Sequence, residues 1–218
     1  MFFDPKFKND LSGSSNREQL RRVLFFLACC HTIVIDEKKG TYNAASPDEL
    51  ALVNAAKQFG FEFKGIDNDD NMMILDKDSN EIHRYQLLNV CEFTSTRKRM
   101  SVILRDPQGR IVLMCKGADS VVMERLSQAS LNGEVLSKTQ TFVTQYAETG
   151  LRTLFLSERY IDQKEYDIWS AKSQEAKLAI KDREARVAEV DELIEVDMEL
   201  IGSTAIEDRL QDEVADTI

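Results

Sequence analysis

The sequence predicts an α+β domain, an antiparallel twisted β-sheet flanked by helices. Three observations carry that prediction. Between Phe61 and Lys116 short apolar runs alternate with tight turn signals, the rhythm of consecutive strands. On either side of that stretch the apolar residues fall at helical spacing. The chain of 218 residues, 43% hydrophobic and 30% charged, is long enough to bury a sizeable core and too apolar to stay unfolded.

Taken in order, the first fifteen residues read as irregular and close on Ser12-Gly13-Ser14-Ser15. Ser15 and Glu18 have the spacing of a capping box, so a helix is predicted over Asn16–His31. Thr32–Asp36 is a short β-branched run, after which Lys38-Lys39-Gly40 turns the chain. Ser46-Pro47-Asp48-Glu49 opens a second helix with Ser at N-cap, Pro at N1 and Glu at N3, and Gly60 stops it. Strands are predicted at Phe61–Phe63, Met72–Leu75, His83–Phe93, Met100–Arg105 and Arg110–Lys116. The turns between them include Asp67-Asn68-Asp69-Asp70, Asp78-Ser79-Asn80 and Pro107-Gln108-Gly109, the last tight enough to make Met100–Lys116 a hairpin. Helices over Asp119–Ser127 and Glu134–Thr149 follow, then a strand over Leu151–Tyr160. Asp162–Asp197 is charge-laced and helical, with Tyr166, Trp169, Leu178, Ile180, Val187, Val190 and Ile194 as its sparse apolar stripe.

Charge and motif content narrow the function. The net charge of −10 repels nucleic-acid phosphates and anionic lipid headgroups, which argues against a nucleic-acid partner. Val23–Cys30, the longest apolar run, is far too short to cross a bilayer, and Met1-Phe2-Phe3-Asp4-Pro5 lacks the plan of a signal peptide. Cys29 and Cys30 are adjacent, and no C-x-x-C accompanies His31 and His83, so neither a disulfide framework nor a zinc site is expected. Free, buried thiols in a reducing compartment are expected instead. There is no G-x-x-x-x-G-K-[ST], no G-x-G-x-x-G and no G-x-S-x-G, which removes P-loop, Rossmann and α/β-hydrolase chemistry.

A few residues remain that suit a ligand. In Arg110–Lys116, strand alternation puts Lys116 on the face of Val112 and Met114, and Gly117 follows it at once. Its ammonium could stand at the mouth of a pocket, or its stem could merely snorkel to water. Arg152 repeats the pattern beside Leu154 and Leu156. Phe93 precedes the polar loop Thr94-Ser95-Thr96-Arg97-Lys98-Arg99, where its ring could stack on a base or close off the sheet's core. Arg97-Lys98-Arg99 could touch phosphate or form a solvated ion-pair surface. Glu49 reads as half of a capping box, or as an acceptor for an adenine amino group at a pocket edge.

Four blocks in one order give these residues a context: Ser46-Pro47-Asp48-Glu49-Leu50-Ala51-Leu52-Val53, Phe93–Val102, Lys116-Gly117-Ala118-Asp119-Ser120 and Gly150-Leu151-Arg152-Thr153-Leu154. Together they resemble the nucleotide-binding (N) domain of a P-type ATPase. Ala205-Ile206-Glu207-Asp208-Arg209-Leu210-Gln211-Asp212 adds a fifth block, similar to the return segment into the phosphorylation domain. Lys116-Gly117-Ala118-Asp119, in place of the Lys-Gly-Ala-Pro-Glu usual in cation pumps, resembles the phospholipid flippases. By that resemblance Glu49 would hold the adenine edge and Phe93 would stack on the ring. Lys116 would line the pocket and Arg152 would reach toward the phosphates of ATP.

The departures from the family pattern are equally informative. The Asp-Lys-Thr-Gly-Thr phosphorylation block is missing, as are the Thr-Gly-Asp and Gly-Asp-Gly magnesium-site blocks. The chain is therefore expected to act as a cytosolic domain of an integral membrane protein, with residues 1–197 as the nucleotide-binding domain and 198–218 as the return segment. The resemblance implies no catalytic residue and no metal ligand within it, with magnesium arriving as Mg-ATP. It implies the phosphorylation and actuator domains of the same full-length chain as partners, with a small membrane accessory subunit. The alternatives are the N domain of a cation pump and a non-catalytic α+β interaction module.

Overall fold

The computed structural model describes residues 5–207 except 14, 37 and 39. Helices α1 (Pro5–Gly13), α2 (Arg17–Cys29) and α3 (Pro47–Phe59) and the small hairpin of β1 (Val34–Asp36) and β2 (Thr41–Asn43) come first. Then β3 (Phe61–Ile66), β4 (Asn71–Asp76), β5 (Glu81–Cys91), β6 (Arg99–Arg105) and β7 (Ile111–Gly117) follow one another. α4 (Asp119–Met123), α5 (Gln128–Leu131) and α6 (Glu134–Glu148) separate β7 from β8 (Arg152–Ile161), and α7 (Gln163–Lys177) and α8 (Arg183–Ile194) separate β8 from β9 (Glu199–Ile206). β3 to β9 form one seven-stranded sheet in strict chain order, every neighbour antiparallel. This is the predicted α+β architecture.

From β6 onward the sheet is covered on both faces, and strand alternation sorts its side chains between two cores. Met100, Val102 and Leu104 of β6, Val112 and Met114 of β7 and Leu156 of β8 face α2 and α3. Ile103, Leu113, Cys115 and Phe155 face the other way, against Val122, Val143, Trp169 and Ile194 from the helices that follow β7 and β8. β6 and β7 are therefore apolar on both faces, as strands in the middle of a sandwiched sheet must be.

Several expectations need correction. Pro5–Gly13 is helical rather than irregular, because Phe7 and Leu11, one turn apart, pack on the first core, and Phe7 meets Phe59 edge-on at 4.8 Å. Asn16, not Ser15, precedes the first residue of α2. β5 ends at Cys91, two residues short of Phe93, which leaves Phe93 on the loop. The charge-laced stretch is two helices broken at residues 178–182, with Asp182 in the left-handed region at φ 52°. At that break Leu178 is 81% and Ile180 99% exposed, so neither belongs to the buried stripe. Glu199–Ile206, to which the sequence pattern assigned no strand, pairs along β8. Met1–Asp4, and Asp208–Asp212 of the fifth block, lie outside the described residues.

Candidate functional site

The sheet register explains why a cleft opens where it does. Lys116 is opposite Met100 on one side and Leu156 on the other, all three on the face toward α3. β7 stops one residue later at Gly117, whereas β8 extends past that end with Leu154 and Arg152. α3 begins across from this edge. The resulting cleft of about 700 Å³ is lined by Glu49, Phe93, Lys116 and Arg152, the four residues that the resemblance puts on a nucleotide. Thr32, Asp48, Leu52, Met100 and Leu154 are among the other residues of its walls. Its size lies within the roughly 300–1,000 Å³ of small-molecule sites. A smaller concavity, of about 420 Å³, lies under Arg21, Arg22 and Arg110 beside α2, and none of the four residues reaches it.

The cleft has an apolar floor and a charged rim. Lys116 does not snorkel to water: it is 7% exposed and donates from Nζ to Glu49 Oε1 at 3.2 Å. Glu49 is equally buried and also accepts from the Thr32 amide at 3.2 Å and the Thr32 hydroxyl at 3.0 Å. A carboxylate offers about four lone-pair sites, so Glu49 keeps room for one more donor. The Ser46 side chain makes no capping bond, so the capping box read from Ser46 and Glu49 is not formed. Arg152, half exposed at the start of β8, donates to Asp48 Oδ2 at 2.6 Å. Asp48 and Glu49, neighbours in the first turn of α3, thus each hold one of the two cations.

Below this rim His31 is locked as the neutral tautomer. Its Nε2–H donates to the Ala28 carbonyl at 2.9 Å and its Nδ1 accepts from the Ile33 amide at 3.1 Å. A second ring proton would face that amide N–H. Burial and the nearby Lys116 charge lower its pKa to about 4. Burial pushes the Cys30 and Cys115 thiols up to about 12. These groups are closed to acid–base or nucleophilic work at neutral pH. The arrangement can bind, and among the described residues His31, Cys30 and Cys115 give it no activated nucleophile.

Phe93 stands at the mouth, 62% exposed, with its ring free to be covered by a planar ligand. The loop after it is held from beneath. Arg97 and Arg99, expected on a phosphate or a solvated surface, are instead 5% and 1% exposed. They turn into the second core and pair with Glu195, Asp191 and Glu192 near the end of α8. Their acidic partners lie more than ninety residues away in sequence, so no local pattern could have found them. Thr32 and Asp48, to which the sequence reading assigned no site role, also line the cleft: Asp48 lies within the first recognised block and Thr32 opens the β-branched run that precedes it.

The comparisons with known proteins converge on one family. The family model described as P-type ATPase, cytoplasmic domain N, matches residues 19–213. Phospholipid-transporting ATPase DRS2 of Saccharomyces cerevisiae is 42% identical over 216 residues, covering 97% of this chain and 16% of its own. DNF1 of Chaetomium thermophilum, also a phospholipid-transporting ATPase, is 41% identical over 226 residues, covering 100% of this chain and 14% of its own. Phospholipid-transporting ATPase 10 of Arabidopsis thaliana is 46% identical over 207 residues, covering 91% of this chain and 17% of its own. The chain thus spans only a small fraction of the length of the relatives it matches.

Proposed function

This chain belongs to the P-type ATPases, as their cytoplasmic N domain, and from that premise we propose that the cleft is its ATP site. The observation that carries the reading is convergence: Glu49, Phe93, Lys116 and Arg152, from four separated blocks, line one cleft with an apolar floor. The purine stacks on Phe93 and rests over Met100 and Leu154. Glu49 accepts the adenine amino proton with its remaining lone pair, Lys116 holds that carboxylate in place, and Arg152 turns from Asp48 toward the phosphates.

In the full-length protein, the domain presents the γ-phosphate to an aspartate outside this chain, where positioning and magnesium do the chemistry. The fragment itself binds without turnover. In this reading magnesium travels with ATP, and the cleft has no role in anchoring it. The relatives' names favour a phospholipid as the transported substrate over a cation. The partners in this proposal are the phosphorylation and actuator domains of the same full-length chain. A small membrane accessory subunit completes the proposal. Residues 198–218 are assigned to the return segment toward the phosphorylation domain, and β9 lies in their described part. Among the described residues no helix is long and apolar enough to cross a membrane.

With no glycine-rich cradle for phosphate, base stacking supplies most of the affinity, about 1–3 kcal/mol from Phe93 alone. Calorimetric titration of the chain tests this. ATP binds with or without magnesium, and adenosine competes for the same site. An absolute requirement for magnesium, or no competition by adenosine, overturns the reading.

A further inference from the structure

Glu195, immediately after α8, has no solvent exposure and accepts three hydrogen bonds. Its Oε1 receives Arg97 Nη2 at 2.7 Å and the Ser101 hydroxyl at 2.5 Å, and its Oε2 receives Arg99 Nε at 2.7 Å and lies 2.6 Å from Arg99 Nη2 in the same ion pair. One turn earlier, Glu192 takes Arg99 Nη2 at 2.6 Å with one oxygen and Arg125 Nη2 at 2.5 Å with the other. The end of α8 therefore grips the segment after Phe93 and the segment after Lys116 together.

We propose that Glu195 is a positioning residue for the nucleotide cleft, fixing Phe93 at its mouth and Met100 on its floor through Arg97 and Arg99 without touching a ligand. The inference rests on the cleft being the nucleotide site. Two connections transmit the hold. The Arg97 amide donates to Thr94 Oγ1 at 3.1 Å and the Lys98 amide to the Thr94 carbonyl at 2.8 Å, so Arg97 sets the loop that starts at Phe93. Arg99 precedes Met100 and lies against Gly117, where even a Cβ would come within 2.5 Å of Arg99 Cβ. The Ala118 amide donates to the Lys98 carbonyl at 3.0 Å and ties the two segments at that point. A displaced Arg99 would therefore press on the strand end that carries Lys116.

Stability alone is a poor account of this cluster. Buried ion pairs often stabilise no more than well-packed apolar residues, and here Arg97 Nε and Nη1 find no hydrogen-bond acceptor. What three hydrogen bonds on one carboxylate do supply is a fixed geometry for the two arginines. Lys98 between them sits at φ 50°, a left-handed conformation uncommon for a lysine.

Glu195→Gln keeps the shape but turns one acceptor into a donor facing guanidinium. Two readouts on the folded variant decide the matter: adenosine affinity by calorimetry and amide hydrogen exchange by NMR. We expect adenosine to bind about tenfold more weakly, the loss that follows from a misplaced stacking ring. Exchange quickens at Lys98 and Ala118 and not across β3 and β4, and adding Phe93→Ala costs little further affinity. Affinity within twofold of wild type, or a uniform quickening across the sheet, overturns the proposal. If the glutamine variant does not fold, Glu195→Asp, which keeps the charge and withdraws the carboxylate by one methylene, gives the same pattern on a smaller scale. Absence of adenosine binding by the wild type would instead remove the nucleotide reading itself, whereas wild-type binding equalled by both variants removes only the role of Glu195.

Discussion

Glu49 and Lys116 meet at 3.2 Å in the lining of the cleft, one from the first turn of α3 and the other from the end of β7, each only 7% exposed. The pair turns two separated sequence blocks into one surface. Its geometry also makes each partner dependent on the other. Removing one leaves an uncompensated buried charge, which costs about 3–5 kcal/mol.

Lys116→Met and Glu49→Gln are therefore each expected to destabilise the fold strongly. The double variant should recover a large part of the loss, because neither charge is then stranded. Urea denaturation of the three variants measures this directly, and strictly additive losses would show that the two side chains do not depend on each other.

Phe93→Ala is expected to weaken ATP and adenosine by the same amount, about 1–3 kcal/mol, because only stacking on the base is lost. The ring is 62% exposed, so thermal stability changes little. Equal titration curves for wild type and variant would rule out a stacking role.

Arg152→Ala and Asp48→Asn should move in opposite directions. The first removes a cation from the phosphates and weakens ATP about five- to tenfold, leaving adenosine unchanged. The second removes an anion that holds Arg152 at 2.6 Å and tightens ATP relative to adenosine. The ratio of the two affinities is the readout, so a change in fold stability does not confuse it.

His31 gives a pH signature. Its pKa falls from 6.5 to about 4 on folding, so between those values the unfolded chain binds a proton that the native chain does not. Stability then declines as pH falls from 6.5 to 4, by roughly 3 kcal/mol in all. Asp191, whose pKa burial raises from 3.8 to about 6, acts with the opposite sign over nearly the same range. The difference between wild type and His31→Gln isolates the histidine. Denaturant melts at pH 7.5 and pH 4.5 should show the smaller decline in the variant.

Gly117→Ala is expected to cost about 1–3 kcal/mol through overpacking. The new Cβ would fall 2.5 Å from Arg99 Cβ and 2.8 Å from the Lys98 carbonyl, neither of which can retreat easily. Thermal melts check the loss, and weaker adenosine binding should accompany it because Lys116 is the preceding residue.

Much of this was legible in the sequence because strand alternation is a local signal. Lys116 shares the face of Val112 and Met114, and Arg152 that of Leu154 and Leu156, as the period of two requires. The hairpin of β6 and β7 followed from its tight turn. What stayed hidden depends on partners remote in sequence. Arg97 and Arg99 look like a solvated basic run until Glu195 is brought to them. β9 carries Gly202, Ser203 and Thr204 in its middle and is a strand because β8 lies beside it. Glu49 fitted a capping box by spacing, and only tertiary structure shows its carboxylate spent on Thr32 and Lys116 instead.

The most direct test is a crystal of this chain soaked with ATP. The adenine ring should lie against Phe93 with its amino group directed at Glu49, and the triphosphate should trail past Arg152. A cleft left empty under those conditions, or a purine bound in the concavity beside α2, would contradict the account.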